Sequence, residues 1–252
     1  MTVPGREIAR RCRTAILGLV VLGAAQAASA GGEGSGAAYA QMAPGAEYLM
    51  PSRAAEISLA RSAAPAAISA SATVLVLSSK GYETAVNGTN GFTCLVERAW
   101  MSPFDSPEFW NPKLRGPVCY NPAATRSILP ITRYRTKLAQ SGVPKNQMFD
   151  EIRAAMARKE LPALEPGAMS FMMSKDGYLN DEVGHWHSHL MFYSPGTDIS
   201  SWGANLPGSP VVVDDEHRKI PEQQIIFLVP VGHWSDGSVA PAVGHTAEGG
   251  DK

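Results

Sequence analysis

The sequence lacks most of the motifs that name a chemistry outright. It has no Gly-x-Ser-x-Gly elbow, which excludes the usual esterase nucleophile, and no glycine-rich phosphate loop, which excludes nucleotide handling of the common kinds. Lysine and arginine number 22 against 23 acidic residues in 252. They do not cluster as a nucleic-acid footprint requires, so no nucleic-acid partner is expected. Cysteine is scarce, at three residues. The longest apolar run, AILGLVVLGAA at residues 15–25, has 11 residues, and a membrane-spanning helix needs about 20. No transmembrane segment is therefore expected in the mature chain.

What is present at the start is an export signal in the right order. Arg6, Arg10, Arg11 and Arg13 form a basic segment, the apolar run follows, and Ala28-Ser29-Ala30 supplies the small residues that a signal peptidase reads. Residues 1–30 are read as a cleaved signal peptide, and the protein as periplasmic or secreted. Arg10-Arg11 offers a twin-arginine pair, but Cys12-Arg13-Thr14 continues it poorly. No cysteine follows the run to carry a lipid. Two cysteines remain after cleavage, Cys94 and Cys119. In an oxidising compartment such a pair is expected to close a disulfide.

Residues 31–45 (GGEGSGAAYAQMAPG) are rich in Gly, Ala and Ser and are expected to form a flexible leader. A single domain over residues 46–240 and a loose tail over 241–252 complete the organisation. Pro51-Ser52 opens a helix over 53–63, and TVLVL at 73–77 is a buried strand. Asn87-Gly88-Thr89-Asn90-Gly91 between 82–86 and 92–98 predicts a hairpin. Residues 102–122, with five prolines besides their aromatics, read as an ordered loop whose end Cys119 would staple to the hairpin. Asn121-Pro122 starts a helix to about 140, kinked at Pro130, and Pro144 starts another to 160. Strands follow at 168–174, 187–193, 210–213 and 224–231. Ser79-Lys80-Gly81-Tyr82 and Ser174-Lys175-Asp176-Gly177-Tyr178 look alike, as a duplicated hairpin would. This order predicts an α+β fold, a mainly antiparallel sheet with helices on one face.

One cluster carries chemistry: His185-Trp186-His187-Ser188-His189. On a strand the three histidines share one face, and Trp186, Leu190 and Phe192 look to the core. Neighbours at i and i+2 lie about 6.6 Å apart and can share a metal, whereas i and i+4 lie about 13 Å apart. His187 is therefore the central ligand, and His233 is the best outside donor. His217, Asp181 and Glu182 are further donors. Imidazole suits a divalent metal such as Zn, and an open position would generate a bound hydroxide. That reading gives a metal-dependent hydrolase with His185, His187, His189 and His233 at its centre. The alternative is a non-catalytic secreted or envelope-associated binding domain in which the row faces solvent or a ligand. Convergence of His233 on the row separates the two.

Other signals read more plainly. Asp214-Asp215-Glu216 is a charged turn without the spacing of a calcium loop. Glu165 before Pro166 is a turn carboxylate, and Met169, Met172 and Met173 belong to the core. The segments GYETAVNGTNGFTCLVER, ELPALEPGAMSFMMSK, GHWHSHLMFY and SWGANLPGSPV resemble a group of exported bacterial proteins with no assigned activity. The resemblance spans about residues 80–235. It implies one domain over that span and transfers no functional residue.

The signal reading makes a direct prediction. Intact mass of the protein recovered after secretion should place the N-terminus at Gly31. A membrane-bound form that keeps residues 1–30 would contradict it.

Overall fold

The computed structural model describes residues 39–195, 199–213, 221–222 and 224–241. The expected signal peptide, His217, the acidic turn 214–216 and nearly all of the expected tail, His245 included, lie outside the described residues. Eight strands form one sheet among them: β1 (Thr73–Ser78), β2 (Gly81–Val86), β3 (Thr93–Glu97), β4 (Gly116–Tyr120), β5 (Met169–Met172), β6 (His189–Pro195), β7 (Val212–Val213) and β8 (Gln224–Pro230). Their spatial order is β2-β1-β3-β4-β5-β6-β8-β7. Every neighbouring pair is antiparallel except β1 and β3. Five helices pack on the sheet: α1 (Arg53–Arg61), α2 (Ala66–Ser69), α3 (Pro122–Ser127), α4 (Leu129–Gln140) and α5 (Lys145–Ala157). The fold is α+β with a mostly antiparallel sheet, as the pattern predicts. No helix among the described residues is long and apolar enough to cross a membrane.

Alternation along the strands divides the core. Leu75, Leu77, Leu95, Val118 and Tyr120 meet α3, α4 and α5, including Ile131, Leu138, Met148 and Ile152. Val74, Cys94, Val96 and Cys119 belong instead to a second cluster with Ala60 of α1 and with Ala63 and Ala64. The helices thus serve both faces, with the small alanines of α1 letting it lie close. Tyr39, Met42 and Ala43 pack against the first cluster, so the last part of the expected leader is ordered by its own apolar side chains.

The helix boundaries follow their local signals. Ser52 caps α1 by accepting from the Ala55 N–H at 3.1 Å. Asn121 caps α3 by accepting from Ala124 at 2.8 Å, with Pro122 at the first helical position. The expected kink is a full break at Ile128, since Pro130 has no N–H to continue the ladder.

Two strand expectations are corrected. The hairpin across 87–91 does not form. β2 pairs with β1 through the tight Ser79-Lys80 turn, and β3 lies on the other side of β1, parallel to it. Residues 87–92 instead strap across the start of β1. Gly88 donates to Thr73 Oγ1 at 3.1 Å, Thr89 to the Ser71 carbonyl at 2.8 Å, and the Asn90 amide to the Ile68 carbonyl at 2.7 Å. A Cβ on Gly88 would come within 2.1 Å of the Thr73 nitrogen, so the glycine serves close approach of backbones, not a hairpin turn. The second correction is β4, which lies inside the segment expected to be loop. Pro117 and the aromatics disguise a fully buried strand. Nor are the two Ser-Lys-Gly-Tyr-like segments copies of one hairpin. Tyr82 lies within β2, whereas Tyr178 makes an isolated bridge to Arg115.

Cys94 and Cys119 form the expected disulfide, between directly paired positions of β3 and β4. Closing a loop of this size contributes about 3 kcal/mol in the chain-entropy model. A disulfide is compatible with an oxidising location outside the cytoplasm.

A buried ion pair ties the two ends of β3 and β1 to α1. The Arg98 guanidinium reaches Glu56 at 2.8 Å and donates to the Tyr48 carbonyl at 2.7 Å and to Val96. Glu56 also accepts from the Leu77 N–H at 3.0 Å. Arg98→Met should destabilise by about 3–5 kcal/mol in denaturant unfolding, since it leaves the buried Glu56 without its counter-ion. Adding Glu56→Leu should recover part of the loss. A single variant as stable as the native chain would contradict this.

Candidate functional site

The face of the sheet that carries Leu95 and Tyr120 continues through β5, β6 and β8 as a row of alternate side chains. Met172, then His189, Met191 and Tyr193, then Gln224, Ile226, Leu228 and Pro230 all point to it by the observed register. Ile131 and Arg135 of α4 lie over this face but do not fill the space. The result is a cavity of about 440 Å³, lined by these residues with Glu97, Tyr120, Trp186, His187 and Glu222. Its size falls in the range of small-molecule sites, and its wall is mainly apolar with a few polar groups.

Glu97 is the polar group that stands out. It ends β3, half-buried and facing the cavity, and accepts a hydrogen bond from the Tyr120 hydroxyl. Tyr120 also meets Thr132 Oγ1 at 3.0 Å. Burial pushes the Glu97 carboxyl up to about 7, against the Tyr120 hydrogen bond and the nearby Arg135 charge, which lower it. Tyr120 is pushed well above the usual phenol range, first by burial and then by the Glu97 charge.

Two arginines contribute to the same wall, and both are committed elsewhere. Arg135 is paired with Glu222 at 2.7 and 2.9 Å and donates to the carbonyls of Trp100, Met101 and Ser102 at 3.1–3.3 Å. Arg98 is held by Glu56.

The histidines divide. β6 begins only at His189, so the expected alternation does not extend to His185 and His187. His189 is buried, and its Nδ1 lies 2.6 Å from the His187 carbonyl. A carbonyl can only accept, so Nδ1 carries the proton and Nε2 keeps its lone pair. Burial lowers the His189 pKa; the hydrogen bond to the His187 carbonyl works against that, and the His187 ring adds a smaller lowering effect. His187 is exposed and lines the cavity. His185 is packed edge-on against Trp234, with ring centroids 5.1 Å apart. His233 is exposed and sits in a bridge with Val239. Among the described residues no three of His, Cys, Asp and Glu group as a metal would need. The expected facing of β6 is inverted: His189, Met191 and Tyr193 look to the cavity. Phe192 packs on the opposite side with Ala204, Val213, Ile225 and Phe227.

The remaining candidates have structural partners. Asp181 meets Lys113 at 3.1 Å and the Tyr178 hydroxyl, and Glu182 is exposed. Glu165 pairs with Arg126 at 2.7 Å. Met172 is core, with Met169 and Met173 half-buried.

Glu97 was not among the residues expected from sequence. Its signal was faint: a carboxylate in phase with Leu95 on a strand otherwise of core residues, followed at once by Arg98. Compared with protein-family models, with curated proteins and with solved structures, the chain matches none, so the site stands on its own geometry.

The raised pKa predicts a specific pH dependence. Between about pH 4.5 and 7 the folded chain keeps a proton on Glu97 that the unfolded chain has released. Stability should therefore fall as pH rises through that window and level off above it, by an amount on the order of 2–3 kcal/mol. Glu97→Gln should remove this part of the pH dependence in unfolding at pH 5 and pH 8. An identical fall in the variant would assign it to other groups.

Proposed function

We propose that this chain is an exported, disulfide-stapled domain that binds a small, largely apolar molecule in the cavity between its sheet and α4. The observation that carries the reading is the cavity itself. It combines a mainly hydrocarbon wall with one carboxyl whose protein partner is a single tyrosine hydroxyl. Apolar surface supplies the affinity, and a sparse polar group sets orientation. The export signal read in the sequence supports a place in the periplasm or outside the cell, and the Cys94–Cys119 bond is compatible with it.

Acid–base catalysis across the cavity by Glu97 and His189 fits less well. The two lie on strands three spacings apart, on the order of 14 Å, too far for either to reach a proton held by the other.

A divalent-metal reading, hydrolytic or not, retains one supporting observation. His187 and His189 line the same cavity, and the His189 ring is oriented by a backbone carbonyl, as metal-binding imidazoles commonly are. It would use two of the four expected histidines and take its further ligands from solvent or the bound molecule. His185 and His233 have no part in it.

One titration addresses both readings. A neutral apolar probe, octan-1-ol, should bind the full chain in a saturable one-to-one manner by calorimetry, and Leu228→Trp, which fills the cavity, should abolish it. No saturable binding to the native chain would overturn the binding reading. Stoichiometric Zn uptake lost in both His187→Ala and His189→Ala, but kept in His233→Ala, would favour the metal reading instead.

A further inference from the structure

The charges on the cavity wall do not balance, and the imbalance has a sign. Arg98 is neutralised by Glu56, and Arg135 by Glu222, each pair buried and within 2.9 Å. The donors of both guanidiniums are directed at those carboxylates and at backbone carbonyls. Among the described residues, Glu97 is left as the acid on this wall with no cation paired to it. Its hydrogen-bond partner is the Tyr120 hydroxyl, a neutral group. The titratable groups that face it are Tyr120 from β4, Tyr193 from β6, Tyr82 from β2 and Arg135 from α4, with Glu222 beyond Arg135. His187 and His189 lie toward β6 and the loop before it, and burial holds the His189 pKa below the usual imidazole range.

We propose that the ligand carries a protonated amine, seated on Glu97, and an apolar body lying along the methionine and leucine wall. The inference rests on the reading of the cavity as a small-molecule site and adds the chemical class of its occupant. An ammonium supplies the cation that no group among the described residues pairs with Glu97, in a setting of low polarity where an opposite charge is felt strongly. The hydrocarbon of the ligand meets Met172, Met191, Ile131 and Leu228, which have no polar claim on it. A carboxylate ligand would face Glu97 with like charge. A neutral ligand would leave the carboxyl as it is, protonated or paired with Tyr120 alone.

The protons balance simply. A protonated Glu97 gives its proton to solvent, and the carboxylate then accepts from the ammonium, which keeps all three of its protons. Amine binding should therefore strengthen as pH rises toward neutrality, while binding of a neutral analogue should not change.

Octylamine and octan-1-ol, which share one hydrocarbon chain, are titrated calorimetrically into the full chain at pH 5.5 and pH 8. Octylamine should bind about tenfold or more tighter than octanol at pH 8, with most of the preference lost at pH 5.5. Glu97→Gln, which keeps size and the Tyr120 contact, should bind octanol as the native chain does and show no preference for the amine. Octanol binding in the variant also reports that its cavity is intact. If the variant does not bind octanol, the two-pH comparison on the native chain decides. Equal affinity for the two probes at pH 8, or a preference that survives Glu97→Gln, overturns the inference and leaves the cavity reading in place. Binding of neither probe overturns both.

Discussion

A carboxyl group on an apolar wall has to be protonated, hydrogen-bonded or paired, and the described residues around Glu97 offer it only the first two. Its place is set by the ladder that pairs it with Gly116, two residues beyond the Leu95–Val118 pair in the same β3–β4 strands that the disulfide locks. Gly116 is part of the same constraint. A Cβ there would stand 3.4 Å from both the Met172 methyl and the Trp186 ring, which close in on the cavity beside Glu97. The strand pairing thus delivers the carboxyl and clears the space in front of it.

Two buried ion pairs frame that space. Such pairs contribute little net stability, because desolvation offsets their attraction. Their effect here is geometric and electrostatic. Glu56–Arg98 ties α1 to the ends of β1 and β3, and Arg135–Glu222 ties α4 to the segment before β8. By directing both guanidiniums to other carboxylates, they leave Glu97 without an ion pair of its own, although Arg135 still acts on it at a distance. The account of ligand chemistry depends on that commitment.

Local signals in the sequence were legible where the physics is local. TVLVL became β1, Asn121-Pro122 began a helix, Pro130 interrupted one, and Cys94 met Cys119. What misled were positions whose meaning is set by distant partners. Asn87–Gly91 has the composition of a hairpin turn, but Ser71, Ile68 and Thr73 recruit its backbone and side chains into a crossover. Pro117 argues against a strand, yet β4 is central and buried on both faces. The histidine row was read with strand periodicity two residues too early. Two of its members lie in the loop before β6, and the third is turned inward as a neutral, backbone-bonded imidazole. The site itself was nearly invisible. Glu97 gains its character from β4, β6 and α4, which are up to 96 residues away in the chain at Tyr193, and no window of sequence contains that environment.

The most direct test of the central claim is the protonation of Glu97 itself in the ligand-free chain. Infrared difference spectra across a pH titration, with Glu97→Gln as the subtraction, isolate the signal of this one carboxyl. The account predicts a protonated-acid band that persists at pH 5–6, disappears with a midpoint near 7 and is absent from the variant. A carboxylate already ionised at pH 5, with no native-minus-variant band above it, would contradict it, because Glu97 would then have a counter-charge that the described residues do not supply or more solvent than its burial allows.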